Sequence, residues 1–472
     1  MRFATHTLIG GLTLLVSGIP ANGAAQPNET EREAEMFGEV EREADSEAEI
    51  HALPGTGAEG DDASDLEARF EKGLSEHEDW LDLGGLLYMR VDYHAEEDTK
   101  AQESPLRSPN LVDVYLDAQP NDRVRGHVRG RLRHDFTVPP DSLDAFGQPR
   151  ARTEVLLDQL WLKLDVAQLL FVTAGKQAVR WGSGRFWNPT DFLNRQKRDP
   201  LAIMDERTGV SMVKLHLPIE SLGWNLYAVA NLDEAETPEL TGAALRAELL
   251  FGETEIALTY ASRKNNPHQL GLDISSAIWL FDLRTEVAAQ KGIVTPFFRG
   301  PLDIQRLAFP REVSREDQWI LQGTAALEIT IRYADQDNVT VGVEYFYNDA
   351  GYKNAHLYPW LALEGQFVPL YLGRHYVAAY AHLPQPGLWN DTSFTVSAMG
   401  NLSDESWLAR FDWQVRVLTH LDVNVYAIYH FGENGELNYG LSVPAFPVAG
   451  LEDGIEVRQP IIDVGVALRV AI

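Results

Sequence analysis

The chain has 472 residues, with 70 acidic against 40 basic side chains, a formal charge of -30 and no cysteine. Lack of thiols excludes disulfides and thiolate chemistry, and the acidity argues against nucleic acid as a partner. Beyond the first residues no stretch offers about 18 consecutive apolar positions, which excludes a helical membrane span.

Taken in chain order, Arg2, the apolar run from Leu8 to Ile19 and the small residues Ala21, Gly23, Ala24 and Ala25 read as a cleaved export signal over residues 1–24. Residues 25–79 follow as an acidic tail, in which positions 26–79 hold 19 Asp or Glu against 4 Lys or Arg. Glu31-Arg32-Glu33-Ala34-Glu35 is echoed by Glu41-Arg42-Glu43-Ala44-Asp45, but no apolar stripe runs through the segment, and Pro54-Gly55-Thr56-Gly57 interrupts it. A segment that cannot bury apolar surface stays solvated, so the expectation is a disordered periplasmic tail.

From Leu81 the pattern changes to strict alternation. Eighteen strands are predicted, at 81–93, 110–119, 123–136, 153–165, 168–178, 208–217, 223–232, 241–251, 254–262, 268–276, 281–290, 318–333, 338–348, 374–383, 391–400, 406–417, 421–431 and 461–472. In the twelfth, Trp319, Leu321, Gly323, Ala325, Leu327, Ile329, Ile331 and Tyr333 share one face, while Gln322, Thr324, Glu328 and Arg332 share the other. The sixteenth sets Trp407, Phe411 and Trp413 against Arg410, Asp412 and Gln414, and the last sets Ile462, Val464, Val466, Leu468 and Val470 against Asp463 and Arg469. Successive strand side chains point to opposite sides, so each strand has an oily face and a wet one. Aromatic residues gather near strand ends, as at Trp319 and Tyr333 or Tyr429 and Phe431, where the interfacial girdles of a membrane barrel fall.

The connections alternate as well: long at 94–109, 137–152, 179–207, 291–317, 349–373 and 432–460, short at Pro120-Asn121-Asp122, Gly252-Glu253 and Leu418-Thr419-His420. Long outer loops and short periplasmic turns are the rhythm of an outer-membrane barrel with both ends in the periplasm. The expectation is therefore an all-β protein, a transmembrane antiparallel up-and-down barrel of about eighteen strands over 80–472, with sixteen as the alternative count. A secreted two-domain sandwich also alternates, but no linker divides 80–472.

Three groups of residues carry the expected chemistry. The third strand sends Arg123, Arg125, His127, Arg129, Arg131 and Arg133 to the wet face. Such a ladder draws anions through a pore, because guanidinium stays charged and binds carboxylate or phosphate through paired hydrogen bonds. Asp113 and Asp117 on the second strand, with Asp158 or Asp165 on the fourth, offer the competing role of a cross-strand ion-pair network. Further along, Glu248, Glu286, Glu328, Glu344 and Asp412 are expected to line the opposite wall, with Arg410 among them. Opposed charged walls set up a transverse field. Finally, the 179–207 connection is long, aromatic and Gly-rich, so it is expected to fold into the barrel mouth and narrow it. Its candidate constriction residues are Arg180, Trp181, Arg185, Trp187, Asn188, Asp191 and Arg195. Plugging the barrel for stability is the competing role. No metal-ligand spacing, calcium loop or Ser-His-acid set is present, so neither an enzyme nor a cofactor is implied.

Lys176-Gln177, Trp181-Gly182 and Asn188-Pro189-Thr190-Asp191, with Glu344-Tyr345-Phe346-Tyr347-Asn348 and Asn401-Leu402-Ser403-Asp404, resemble segments of a broad group of Gram-negative outer-membrane porin-like barrels, some related to polysaccharide-export channels. The resemblance covers roughly 155–472 and implies residence in the bacterial outer membrane. The expected function is a passive channel for small hydrophilic solutes, anions among them. The alternative is a non-conducting barrel serving surface binding, polysaccharide export or assembly. Lipid bilayer and small solutes are the implied partners, and a trimer and a monomer both remain open.

Overall fold

A strand that alternates oily and polar residues buries its backbone only by pairing on both edges, and in a membrane an unpaired edge costs several kcal/mol per orphaned group. The chain meets this requirement by closure. The computed structural model describes residues 80–472 apart from 144–148, 265, 293–294, 304–305, 307, 335–336 and 444–453, so the export signal and the acidic tail lie outside the described residues.

Eighteen long strands form one closed sheet: β1 Leu81–Glu96, β2 Pro109–Asn121, β3 Val124–Asp135, β4 Thr153–Val166, β5 Leu170–Gln177, β6 Val210–Ile219, β7 Trp224–Asn231, β8 Gly242–Phe251 and β9 Thr254–Arg263, then β10 Asn266–Ile278, β11 Phe281–Lys291, β12 Trp319–Arg332, β13 Asn338–Asn348, β14 His375–Pro384, β15 Thr392–Asn401, β16 Ser406–Leu418, β17 Leu421–Gly432 and β18 Pro460–Ala471. Each pairs antiparallel with its chain neighbours, and β18 closes on β1 with Leu86 opposite Ala471 and Val91 opposite Val466. This up-and-down barrel has eighteen strands, and the sixteen-strand count is set aside.

The alternation resolves as expected. Leu321, Leu327 and Ile331 of β12 are exposed on the outside, while Gln322 and Thr324 are buried inside. Aromatic side chains are exposed at both rims: Phe251, Trp279, Phe281 and Tyr333 at one, Trp319, Tyr345, Tyr429 and Phe431 at the other. Among the described residues no helix is long and apolar enough to cross a membrane, and the crossing is made by strands.

The rim bearing the termini has the tight turns, such as Gly252-Glu253 and Thr419-His420, and the opposite rim has the long connections. The rhythm is imperfect: β9 and β10 are joined by a tight hairpin on the long-loop side, with Arg263 opposite Asn266. A bulge in β4 shifts register between Arg129 and Gly130 of β3, so Asp158 and Gln159 are both buried instead of alternating. That irregularity places an extra acid inside, where the arginine ladder uses it.

Candidate functional site

The connection 178–209, between β5 and β6, does not stand in solvent but lies inside the barrel. Its aromatic side chains explain why. Trp181 is fully buried in a cluster with Val179, Leu193, Met212 and Tyr227. Trp187, equally buried, joins Phe186, Phe346, Tyr376 and Met399, stacks on Phe346 with ring centres 5.3 Å apart, and donates its indole N–H to the Leu370 carbonyl at 3.1 Å. Each large ring buried this way contributes on the order of 2–3 kcal/mol, which offsets much of the cost of ordering a long loop. Stitches hold the two ends together. Asp191 accepts from Asn194 at 2.9 Å and from Arg207 at 2.9 Å, and Asn194 donates to the Val179 carbonyl at 2.6 Å.

In the stretch Gly184–Thr190, N–H groups point at two carboxylates of the wall. Glu286 of β11 accepts from the Gly184 N–H at 2.6 Å and from the Thr190 hydroxyl at 2.8 Å, with Asn188 Nδ2 and the Thr190 N–H each at 3.3 Å. Glu344 of β13 accepts from the N–H groups of Arg185 at 2.8 Å, Phe186 at 3.2 Å and Trp187 at 2.9 Å. Bonds to a carboxylate are worth roughly twice neutral ones, so these seven donors form a strong, directional clamp. Glycine makes the approach feasible. Gly182 has φ +100°, and a Cβ there would sit 2.7 Å from the Glu286 oxygens, while one on Gly184 would strike the Trp187 carbonyl at 2.1 Å.

The carbonyls take guanidinium groups, and Gly184's also accepts from Asn188 Nδ2 at 2.8 Å. Arg180 donates to the Gly184 carbonyl at 3.2 Å, and Arg198 to the neighbouring Arg185 carbonyl at 2.7 Å. The Arg185 guanidinium lies 4.0 Å above the Tyr380 ring. Among the described residues none of these three arginines has a carboxylate within salt-bridge distance. All three face one cavity of about 850 Å³, lined by six arginines and four acids. Burial and the adjacent Arg180 charge bring the Arg198 guanidinium down to about 10, below its ordinary range.

The β3 ladder behaves differently. Arg125 pairs with Asp117 at 3.0 Å, Arg129 with Asp158 at 2.8 Å, Arg131 with Asp113 at 2.7 Å and Arg133 with Glu154 at 3.3 Å. His127 also reaches Asp117 at 3.0 Å and stacks between Tyr115 and Trp161. This half of the lumen borders a second cavity of about 670 Å³, and Arg180 is on the boundary of both. Arg123 does not belong to the ladder: it is exposed in the β2–β3 turn, one residue before the strand begins.

The expected acidic wall is also rearranged. Glu344 is 1 % exposed and Glu286 fully covered, because the loop's N–H groups occupy both instead of leaving them open to the lumen. Glu248 is held by Arg246 at 2.8 Å and Asp412 by Arg410 at 2.6 Å, while Glu328 accepts from the Tyr380 hydroxyl and has Arg284 at 3.7 Å. Each of these five acids therefore has a donor beside it instead of facing the lumen bare. Arg195 leaves the constriction altogether, half-exposed and paired with Glu234 of the β7–β8 connection.

Sequence reasoning missed a further layer, a roof over the loop rim. The β13–β14 connection carries a short helix, Tyr358–Leu363, which packs with Phe298, Leu357 and Leu372. Pro359 followed by Trp-Leu-Ala-Leu was its available signal. Glu436 of the last long connection pins that layer, accepting from the Tyr371 N–H at 2.9 Å, the Leu372 N–H at 3.0 Å, the Tyr376 hydroxyl at 2.5 Å and Asn401 at 2.7 Å. Burial pushes its carboxyl up to about 7 despite the Tyr376 and Leu372 bonds.

No family model matches the chain, and no curated protein matches it. Among solved structures it is similar to OccK1 (OpdK) of Pseudomonas aeruginosa, at 10 % identity over 84 % of this chain and 99 % of that one, with a TM-score of 0.46. It is similar to a porin of Rhodopseudomonas blastica, at 10 % identity over 83 % and 100 % of the two chains with a TM-score of 0.39. OmpT, an outer membrane protein of Vibrio cholerae, matches at 10 % identity over 84 % and 100 %, also with 0.39. The fold rests on the strand pairing itself and not on these likenesses. A closed antiparallel ladder, an oily exterior with aromatic rims and a polar interior crossed by a loop make this chain an up-and-down β-barrel of the membrane-spanning kind.

Proposed function

We propose that the protein is a passive channel for small hydrophilic solutes, in which the inward loop forms the constriction and gives anions the advantage. One observation carries this reading: the loop places Arg180, Arg185 and Arg198 in the lumen without carboxylate partners, whereas the ladder on β3 is charge-paired. A fixed, unneutralised positive charge at a narrow point raises the local anion concentration and lowers the entry barrier for anions. Residues 25–79 are read as a periplasmic tail and residues 1–24 as the export signal.

The competing reading, a non-conducting barrel, is favoured by the layer that Leu357–Leu372 builds at the loop rim with Glu436 of the last long connection. Planar-bilayer recording decides between them. Purified barrel is expected to give stable ohmic steps and, under a potassium chloride gradient, a reversal potential of the sign set by chloride. Insertion without conductance contradicts the channel.

A further inference from the structure

The constriction's positive charge is arranged, and the arrangement is more specific than a general preference for anions. Glu286 and Glu344 take the N–H groups of residues 184–187, and the carbonyls of Gly184 and Arg185 accept from arginines, Gly184's sharing its oxygen with Asn188 Nδ2 at 2.8 Å. Arg180 and Arg198 each spend one donor on these consecutive carbonyls, which brings both guanidiniums to the same cavity. A guanidinium has five N–H donors, so each head keeps a fork free. Arg185, the third member, is prevented from folding back onto an acid by its seat on the Tyr380 ring.

Two adjacent, partly buried cations repel each other: burial first, and then the Arg180 charge, lower the proton affinity of Arg198. Asp205, which attracts Arg198 from a distance, is already gripped by Arg207 through two bonds of 3.0 and 2.7 Å. Chloride relieves only one charge and offers no set of directed acceptors. An oxyanion bearing two charges relieves both and fills both forks.

We infer that Arg180, Arg185 and Arg198 form a binding site for a doubly charged oxyanion, with sulfate, inorganic phosphate and short dicarboxylates sharing the required chemistry. The inference deepens the channel reading by giving the constriction a preferred ligand, yet binding is measurable whether or not the barrel conducts. The test is isothermal titration calorimetry on the folded, detergent-solubilised full-length barrel at constant ionic strength. Sodium sulfate is the probe, with sodium phosphate, succinate and chloride as comparators.

Sulfate is expected to bind at least tenfold more tightly than chloride. Arg180→Gln and Arg198→Gln are each expected to weaken it at least tenfold, Arg198→Lys to recover part of the loss, and Arg195→Gln to change nothing. Heat-modifiable electrophoretic mobility shows that each variant has folded. Equal affinity for sulfate and chloride, or sulfate binding unmoved by Arg180→Gln in a folded barrel, overturns the site. Phosphate or succinate binding more tightly than sulfate, with the same dependence on Arg180 and Arg198, supports it and names the preferred oxyanion. Sulfate binding without bilayer conductance sinks the channel and keeps the site, whereas conductance without selective sulfate binding does the reverse.

Discussion

The lumen contains two arginine groups with opposite fates. On β3, Arg125, Arg129, Arg131 and Arg133 point inward at the regular spacing of a strand, and each is met by an acid on a neighbouring strand. On the inward loop, Arg180, Arg185 and Arg198 follow no period and rest on carbonyls and an aromatic ring instead. The conspicuous group is electrically quiet and the scattered one is charged. Counting guanidiniums on a face therefore says little about a pore's field until their partners are known.

The widest break in this comparison comes from releasing the loop. Glu286→Gln with Glu344→Gln replaces charge-assisted bonds in a clamp of seven donors, each worth roughly 1.5–3 kcal/mol, by weaker neutral ones. Single-channel conductance is expected to rise at least twofold and anion preference to fall, as the guanidiniums lose their seats. Unchanged conductance would mean that the tryptophan clusters alone hold the constriction.

Removing one partner from the quiet group should instead affect stability. Arg131, 3 % exposed, leaves Asp113 buried and uncompensated when replaced by Gln, and Asp158 with Arg129 alone, a loss of about 3–5 kcal/mol. A lower unfolding midpoint in denaturant is expected, with conductance within twofold of the parent. An undiminished midpoint would show that the ladder's ion pairs are not structural.

Acidity sharpens the contrast between the loop and its roof. A buried acid held near 7 instead of its ordinary 4.5 favours the neutral form in the folded protein. Its contribution is complete below about 4.5 and is lost as pH rises through about 7, on the order of 3 kcal/mol in all. Cleavage of the last long connection by added protease should therefore be slower at pH 5 than at pH 8, after correction for the protease's own pH profile. Glu436→Gln should flatten that difference, and a slope that survives in the variant assigns it to another group. The smallest effect belongs to Arg195→Gln, since an exposed pair with Glu234 is screened by solvent. Neither the denaturation midpoint nor the reversal potential should move measurably.

What was legible in the chain follows from the range of the interactions. Strand positions were readable because alternation is local: all eighteen predicted strands have a counterpart, and β12 and β13 match within a residue at most ends. Burial of the 178–209 connection was foreshadowed by its tryptophans, because a loop so apolar has nowhere to go but inward. The roles of Glu286 and Glu344 were not readable. On their strands they look like any inward polar residue, and what they do depends on N–H groups about 100 and 160 positions away. Arg123 sits outside the ladder for the opposite reason, a strand end shifted by one residue, and the bulge that supplies Asp158 shows only as a change of phase, with Val155 and Leu157 outward before Asp158-Gln159 and Leu160, Leu162 and Leu164 outward after it.

We propose that unpaired loop arginines, not the paired ladder, set ion preference. The reversal potential under a potassium chloride gradient tests this when recorded for two folded variants side by side. One, Arg180→Gln with Arg198→Gln, removes loop charges; the other, Arg125→Gln with Asp117→Asn, erases a ladder pair. The expected result is a shift of several-fold in the chloride-to-potassium permeability ratio for the first and none for the second. A ratio that moves with the ladder pair and stays fixed for the loop would contradict it.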